Sequence, residues 1–155
     1  MSGGSADEAF KQALKSLGYR ARSEAEVRTN LAQSGFSLKI IEPTLTKLRS
    51  LKLLDDEAFA RAFAQARIED RGYGPLRLER ELRRRGIASA LIARLLHESF
   101  ARNGGKERAR ALVEKRFGGK DLSDAKIWRR AISFLQRRGY RDGVIAEILK
   151  QPVGD

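Results

Sequence analysis

The stretch RGYGPLRLERELRRRGI, residues 71–87, holds a short helix with both of its ends marked. Gly72 and Gly74 flank Tyr73, and Pro75 follows where a proline opens a helix without removing a needed N–H. With Gly74 as N-cap, Tyr73 and Leu78 take the two positions of a hydrophobic staple. Leu78 and Leu82 form a narrow apolar seam, while Arg77, Arg80 and Arg84 form a stripe on the opposite side, with Arg85 beside it. Gly86 closes the helix where a left-handed residue is wanted. Such a helix is held on one side and offers guanidinium groups on the other. An anionic or acidic partner is the simplest reading.

Outward from this stretch, apolar residues recur at helical spacing and strict alternation is absent, so the chain reads as all-α. Ser5 with Glu8 and Ser23 with Glu26 have the spacing of capping boxes. The first predicted helix carries Phe10, Ala13, Leu14 and Leu17 and breaks at Gly18-Tyr19. The second bears Val27 and Leu31 and closes at Gly35; the third starts at Ser37 with Ile41, Leu45 and Leu48 inward, and Pro43 predicts a kink or a late start. Asp55 or Asp56 caps a helix with Phe59, Ala62, Phe63 and Ala66 inward. Ser89 caps the next helix after residues 71–87, with Leu91, Ile92, Leu95 and Leu96. Asn103-Gly104-Gly105 reads as a linker. Beyond it lie a helix around Ala109, Leu112 and Val113, one from Ser123 with Ile127, Trp128, Ala131, Ile132 and Leu135, and a last one with Val144, Ile145, Ile148 and Leu149.

These segments are three copies of one unit. Leu31 and Gly35-Phe36 recur as Leu82 and Gly86-Ile87 and as Leu135 and Gly139-Tyr140; each glycine is followed by an apolar pair, Ile40-Ile41, Leu91-Ile92 and Val144-Ile145. The pattern predicts three tandem three-helix repeats, residues 1–54, 55–102 and 103–155, in an elongated, curved molecule. The positions of Arg77, Arg80, Arg84 and Arg85 become Arg130, Ser133, Arg137 and Arg138 in the third repeat, but Glu26, Thr29, Gln33 and Ser34 in the first. The basic stripe therefore belongs to the second and third repeats, and the candidate partner-binding set is Arg71, Arg77, Arg80, Arg84, Arg85, Arg129, Arg130, Arg137 and Arg138.

Composition agrees with a binding role. In 155 residues, 32 Lys and Arg oppose 20 acids, giving a net charge of +12 and a pI near 10.6, which favours polyanions or acidic protein surfaces. No cysteine is present, so disulfides and thiolate-bound metals are excluded. No apolar run is long enough for a membrane helix, the opening MSGGSAD lacks a signal-peptide core, and a cytoplasmic monomer without cofactor is expected. His97 is the only histidine, and no nucleophile triad, metal-ligand spacing or phosphate-binding loop is present, which speaks against an enzyme. Bland readings stand beside the functional ones. The stripe could be a solvated face in which Glu79 and Glu81 pair with Arg83 and Arg85, Tyr73 is explained by the staple, Trp128 by the core, and Asp55-Asp56 by capping rather than by a metal.

The segments RSEAEVRTNLAQSGF, LLDDEAFARAFAQAR, RGYGPLRLERELRRRGI and FLQRRGYRDGVIAEIL resemble the RecX family of recombination regulators over nearly the whole chain. The resemblance implies three tandem three-helix repeats. It further implies a protein of DNA repair, recombination and the SOS response that binds the RecA filament in its groove and inhibits filament growth, ATP hydrolysis and strand exchange. Contact with single- or double-stranded DNA is compatible with it. A stand-alone DNA-binding module of helix-turn-helix type and a helical scaffold are the alternative readings.

Overall fold

The computed structural model describes residues 4–150, and among them the only regular secondary structure is α-helix. The first repeat holds α1 (Ala6–Tyr19), α2 (Glu24–Gln33) and α3 (Leu38–Ser50); the second α4 (Asp56–Arg71), α5 (Pro75–Arg84) and α6 (Ser89–Phe100); the third α7 (Lys106–Phe117), α8 (Ala125–Arg138) and α9 (Asp142–Ile148).

The second helix of each repeat ends in the same way. Gly35, Gly86 and Gly139 have φ of +94°, +76° and +94°. The residue after each glycine donates its N–H to the carbonyl five back: Phe36 to Leu31 (3.2 Å), Ile87 to Leu82 (3.1 Å) and Tyr140 to Leu135 (3.2 Å). This is the Schellman closure, which needs a left-handed residue and so selects glycine. It turns the chain so that both leucine and following apolar residue face inward. Leu31, Leu82 and Leu135 are fully buried, as are the equivalent Ile41, Ile92 and Ile145 to within 3%.

Several expected ends and faces shift. Helix α1 continues through Gly18 to Tyr19, and its buried residues are Ala9, Ala13 and Ser16; Leu14 is 39% exposed. Helix α3 begins at Leu38 and runs through Pro43 without a late start. In α4, Ala62 is exposed and Phe63 and Ala66 are half-buried, while Phe59, Ala60, Ala64 and Ile68 are buried, a face rotated from the expected one. Alanine is too small to mark a face in sequence, so the larger Phe63 drew the prediction. Ser89 lies within the first turn of α6 rather than before it, and Asp124, not Ser123, caps α8 by accepting from the N–H of Lys126 (2.8 Å) and of Ile127 (3.4 Å). The Ser123 hydroxyl instead donates to the Asp121 carboxylate in the turn before the helix (2.5 Å).

The chain divides into two compact units: residues up to Ala62 together with Leu82–Leu91, and Phe63–Glu81 together with Ile92 onward. In the first unit, Ala9, Ala13, Val27, Leu31, Ile41, Leu45, Leu48 and Leu54 form a core. Here the aspartate pair divides its work. Asp55 caps its own helix by accepting from the Ala58 N–H (3.1 Å), while Asp56 accepts from the Glu24 N–H (2.8 Å) and so caps α2. In the second unit, Ala109, Val113, Phe117, Ala131, Phe134, Leu135, Tyr140, Ile145 and Leu149 form the core. Trp128 packs against it half-buried, its indole N–H donating to the Leu149 carbonyl (3.3 Å).

Candidate functional site

The nine predicted arginines fall into three kinds of place. Arg80, Arg129, Arg130 and Arg137 are exposed, and among the described residues none of them is ion-paired to a carboxylate. Arg84 and the half-buried Arg85 line a cleft of about 390 Å³ in the first unit, with Arg22, Glu26, Asn30 and Gln33. Arg71, Arg77 and Arg138 come together in the second unit, where the second and third repeats meet, beside the main chain of Arg137.

That seam is built from main chain. The Gly74 N–H donates to the Arg138 carbonyl (2.7 Å) and the Leu76 N–H to the Gly139 carbonyl (2.8 Å). Two glycines permit the approach: a Cβ on Gly74 would lie 2.7 Å from the Gly139 carbonyl carbon and oxygen, and one on Gly139 would strike the Arg77 backbone. Arginines then clasp the seam reciprocally. Arg77 Nη1 donates to the Arg137 carbonyl (3.0 Å), and Arg138 Nη1 donates to the Arg71 carbonyl (2.6 Å). Both guanidinium groups also lie over aromatic rings, Arg77 over Tyr73 at 4.4 Å and Arg138 over Phe134 at 5.0 Å. Arg77 is therefore turned onto the protein rather than held out as part of the expected stripe, and its buried Nε has no hydrogen-bond partner among the described residues. Tyr73 is itself 4% exposed, which leaves no ring face for stacking on a base.

Tyr140 completes the joint. It is 1% exposed and its hydroxyl donates to the Gly72 carbonyl (3.0 Å). Burial pushes its pKa up to about 12, against the opposing fields of Arg108 and Arg138, so the phenol stays a donor. The expected linker Asn103-Gly104-Gly105 is packed here: a Cβ on Gly105 would lie 3.1 Å from both Phe100 and Tyr140.

In the first repeat three arginines are paired within the protein. Arg20 pairs with Glu26 (3.0 Å), Arg28 with Glu42 (2.9 Å) and Glu24 (3.3 Å), and Arg49 with Glu24 (3.2 Å). Burial acts against the Glu26 carboxylate, but the Arg20 guanidinium, the Ser23 N–H and the field of Arg85 outweigh it and hold the pKa below its ordinary value.

Sequence reasoning missed a second cationic group. Arg108, Lys115, Arg116 and Lys120 join Arg71 and Arg138 around a cleft of about 790 Å³ formed by the end of α4 with α7 and α8. Their spacing on α7 carries a signal, since Arg108 and Lys115 lie two turns apart on one face, but α7 falls outside the repeat position used for comparison. Among the described residues no group of His, Asp or Glu is arranged to hold a metal, and no helix is long and apolar enough to cross a membrane.

Residues 9–48, 55–96 and 106–149 match, in order, the first, second and third three-helix domains of RecX. The chain is 38% identical over 138 residues to the regulatory protein RecX of Halorhodospira halophila, covering 88% of this chain and 84% of that one. It is 34% identical over 146 residues to the regulatory protein RecX of Trichlorobacter lovleyi, covering 93% and 95%. The crystal structure of RecX from Lactobacillus salivarius superposes with a TM-score of 0.79 at 20% identity over 94% of each chain, which speaks to the fold. Three domains matched in order, a relative of similar length at this identity and the shared helical architecture lead to one conclusion: the chain belongs to the RecX family of regulatory proteins.

Proposed function

We propose that this chain restrains the RecA recombinase by lying in the groove of its DNA-bound filament, where it blocks filament growth, ATP hydrolysis and strand exchange without chemistry of its own. The observation that carries this reading is a set of exposed arginines with no carboxylate partner among the described residues. In the first repeat Arg20, Arg28 and Arg49 are paired within the protein, whereas Arg80, Arg129, Arg130 and Arg137 of the second unit are exposed without a carboxylate partner. Exposed, unneutralised guanidinium groups keep their long-range field and their bidentate donor geometry for carboxylate or phosphate. Arg77 and Arg138 serve these arginines indirectly, by fixing the seam between α5 and α8, the helices that carry them.

The test is RecA ATP hydrolysis on single-stranded DNA, with the protein added before or after filament assembly. The double variant R80E/R130E is expected to inhibit at least tenfold more weakly at 0.1 M salt, with unchanged helicity by circular dichroism. Inhibition equal to the parent's overturns the reading. A stand-alone DNA-binding module would instead act only by occupying DNA, and its effect on the ATPase would vanish when DNA is in excess.

A further inference from the structure

The cleft formed by α4, α7 and α8 shares Arg71 and Arg138 with the predicted set and adds Arg108, Lys115, Arg116 and Lys120 to them. Six cations surround it, Arg71, Arg108, Lys115, Arg116, Lys120 and Arg138, against two acids, Glu69 and Asp70. Among the described residues none of the six is ion-paired to a carboxylate, and Glu69 takes a hydrogen bond from Gln65 (3.3 Å). Six like charges around one cleft repel one another, a cost that an anion seated among them would relieve. The floor is apolar, with Ile68, Leu112 and Phe134.

The aromatic ring of that floor narrows the choice of anion. Phe134 is 5% exposed, and the guanidinium groups of Arg116 and Arg138 lie over it at 5.2 and 5.0 Å. A strand that stacked its bases would need an open ring face, as single-strand binders provide. This cleft gives none. Two of its cations repeat along one helix face: Arg108 and Lys115 stand two turns apart on α7, about 10 Å along the axis, and Lys120 lies beyond the helix end. That repeat suits successive phosphates.

We infer that the α4–α7–α8 cleft is a base-blind phosphate-backbone site, which holds a stretch of single-stranded nucleic acid by its phosphodiesters alone. The site deepens the reading above and rests on it for the setting of a DNA-bound filament. The favoured occupant is phosphate rather than an acidic protein segment, because six cations from three parts of the chain face one cleft and Arg108 and Lys115 repeat along it, which suits a chain carrying a charge on every unit.

The test is fluorescence anisotropy of the full chain with labelled oligo(dT) and with an abasic oligomer of the same length, across a salt series. Inorganic polyphosphate serves as competitor. The parent is expected to bind both oligomers within about threefold of each other and to release both to polyphosphate. R108Q/K115Q should weaken both at least tenfold at low salt and reduce the log–log salt slope by about 1.4, two contacts at about 0.7 each. K11Q/K39Q, which removes the same charge from the first repeat, should change neither by more than about twofold. Three outcomes overturn the site: equal loss in the two variants, a marked preference for oligo(dT) over the abasic strand, or unchanged strand binding by R108Q/K115Q. The assay contains no recombinase, so its failure leaves the filament reading standing. Failure of R80E/R130E in the ATPase likewise leaves strand binding to be judged by itself.

Discussion

Arg77 and Arg138 show how a residue chosen for its charge can be held for its geometry. Each donates from Nη1 to a main-chain carbonyl that ends a helix and lies over an aromatic ring. Charged donors to such carbonyls are typically worth about 1.5–3 kcal/mol, because the planar fork loses little freedom when it docks. Arg77→Ala and Arg138→Ala should each lower stability by about 1–3 kcal/mol in urea unfolding, and lysine should recover less than half, since it cannot both donate and stack. Tyr140 carries a second prediction. Its folded pKa, about 12, lies above the ordinary value of 10.0. Folding therefore favours the neutral phenol, and that contribution is complete below pH 10 and fades as pH rises toward 12. Tyr140→Phe should cost about 1–3 kcal/mol at pH 7 by leaving the Gly72 carbonyl unpaired, and should flatten the alkaline fall in melting temperature.

At the scale of elements, α3 closes as α2, α5 and α8 do, with the Leu53 N–H on the Leu48 carbonyl (2.9 Å), but its left-handed residue is Lys52 at φ +59°. Replacing it by glycine removes a steric cost without touching the closure. Lys52→Gly should raise stability by about 0.5–1 kcal/mol, read as a higher midpoint at unchanged m-value. The three-glycine pattern made the helix ends legible in sequence, because Gly35, Gly86 and Gly139 share one backbone requirement. The unmarked end at Lys52 was not legible, since nothing in its side chain announces a left-handed residue. Tyr73 and Leu78 were placed correctly in the interior by staple spacing, both being buried. The face of α4 was missed because Ala60 and Ala64 bury little area and so leave almost no periodic signal. Of the candidate arginines, sequence could count charges but not direction: whether Arg77 points outward depends on the carbonyl of Arg137, sixty residues away.

At the scale of the whole molecule, one joint is used twice. In the first unit the Ser23 hydroxyl donates to the Arg85 carbonyl (2.6 Å), and a Cβ on Gly86 would strike that of Ala25. In the second, Gly74 and Arg77 stand where Ser23 and Glu26 stood, and Arg138 and Gly139 where Arg85 and Gly86 stood. Gly86 and Gly139 thus each receive the helix start of the preceding repeat, while among the described residues nothing lies within 4 Å of a Cβ on Gly35. Gly35→Ala should cost only the left-handed conformation, about 1–2 kcal/mol. Gly139→Ala should cost at least about 3 kcal/mol, because the seam must also open by enough to admit a methyl group against the Arg77 backbone. Equal losses in the two variants, measured by chemical unfolding, would show that the turn and not the joint dominates.

The polarity of that joint has a consequence for how such chains grow. A further copy added in the same register would press its own glycine turn onto the start of α8, the ground occupied by Arg129 and Arg130. Those two cations would then become mortar between modules instead of a face toward a partner. Lengthening the series and keeping that face open are competing uses of the same few ångströms of helix.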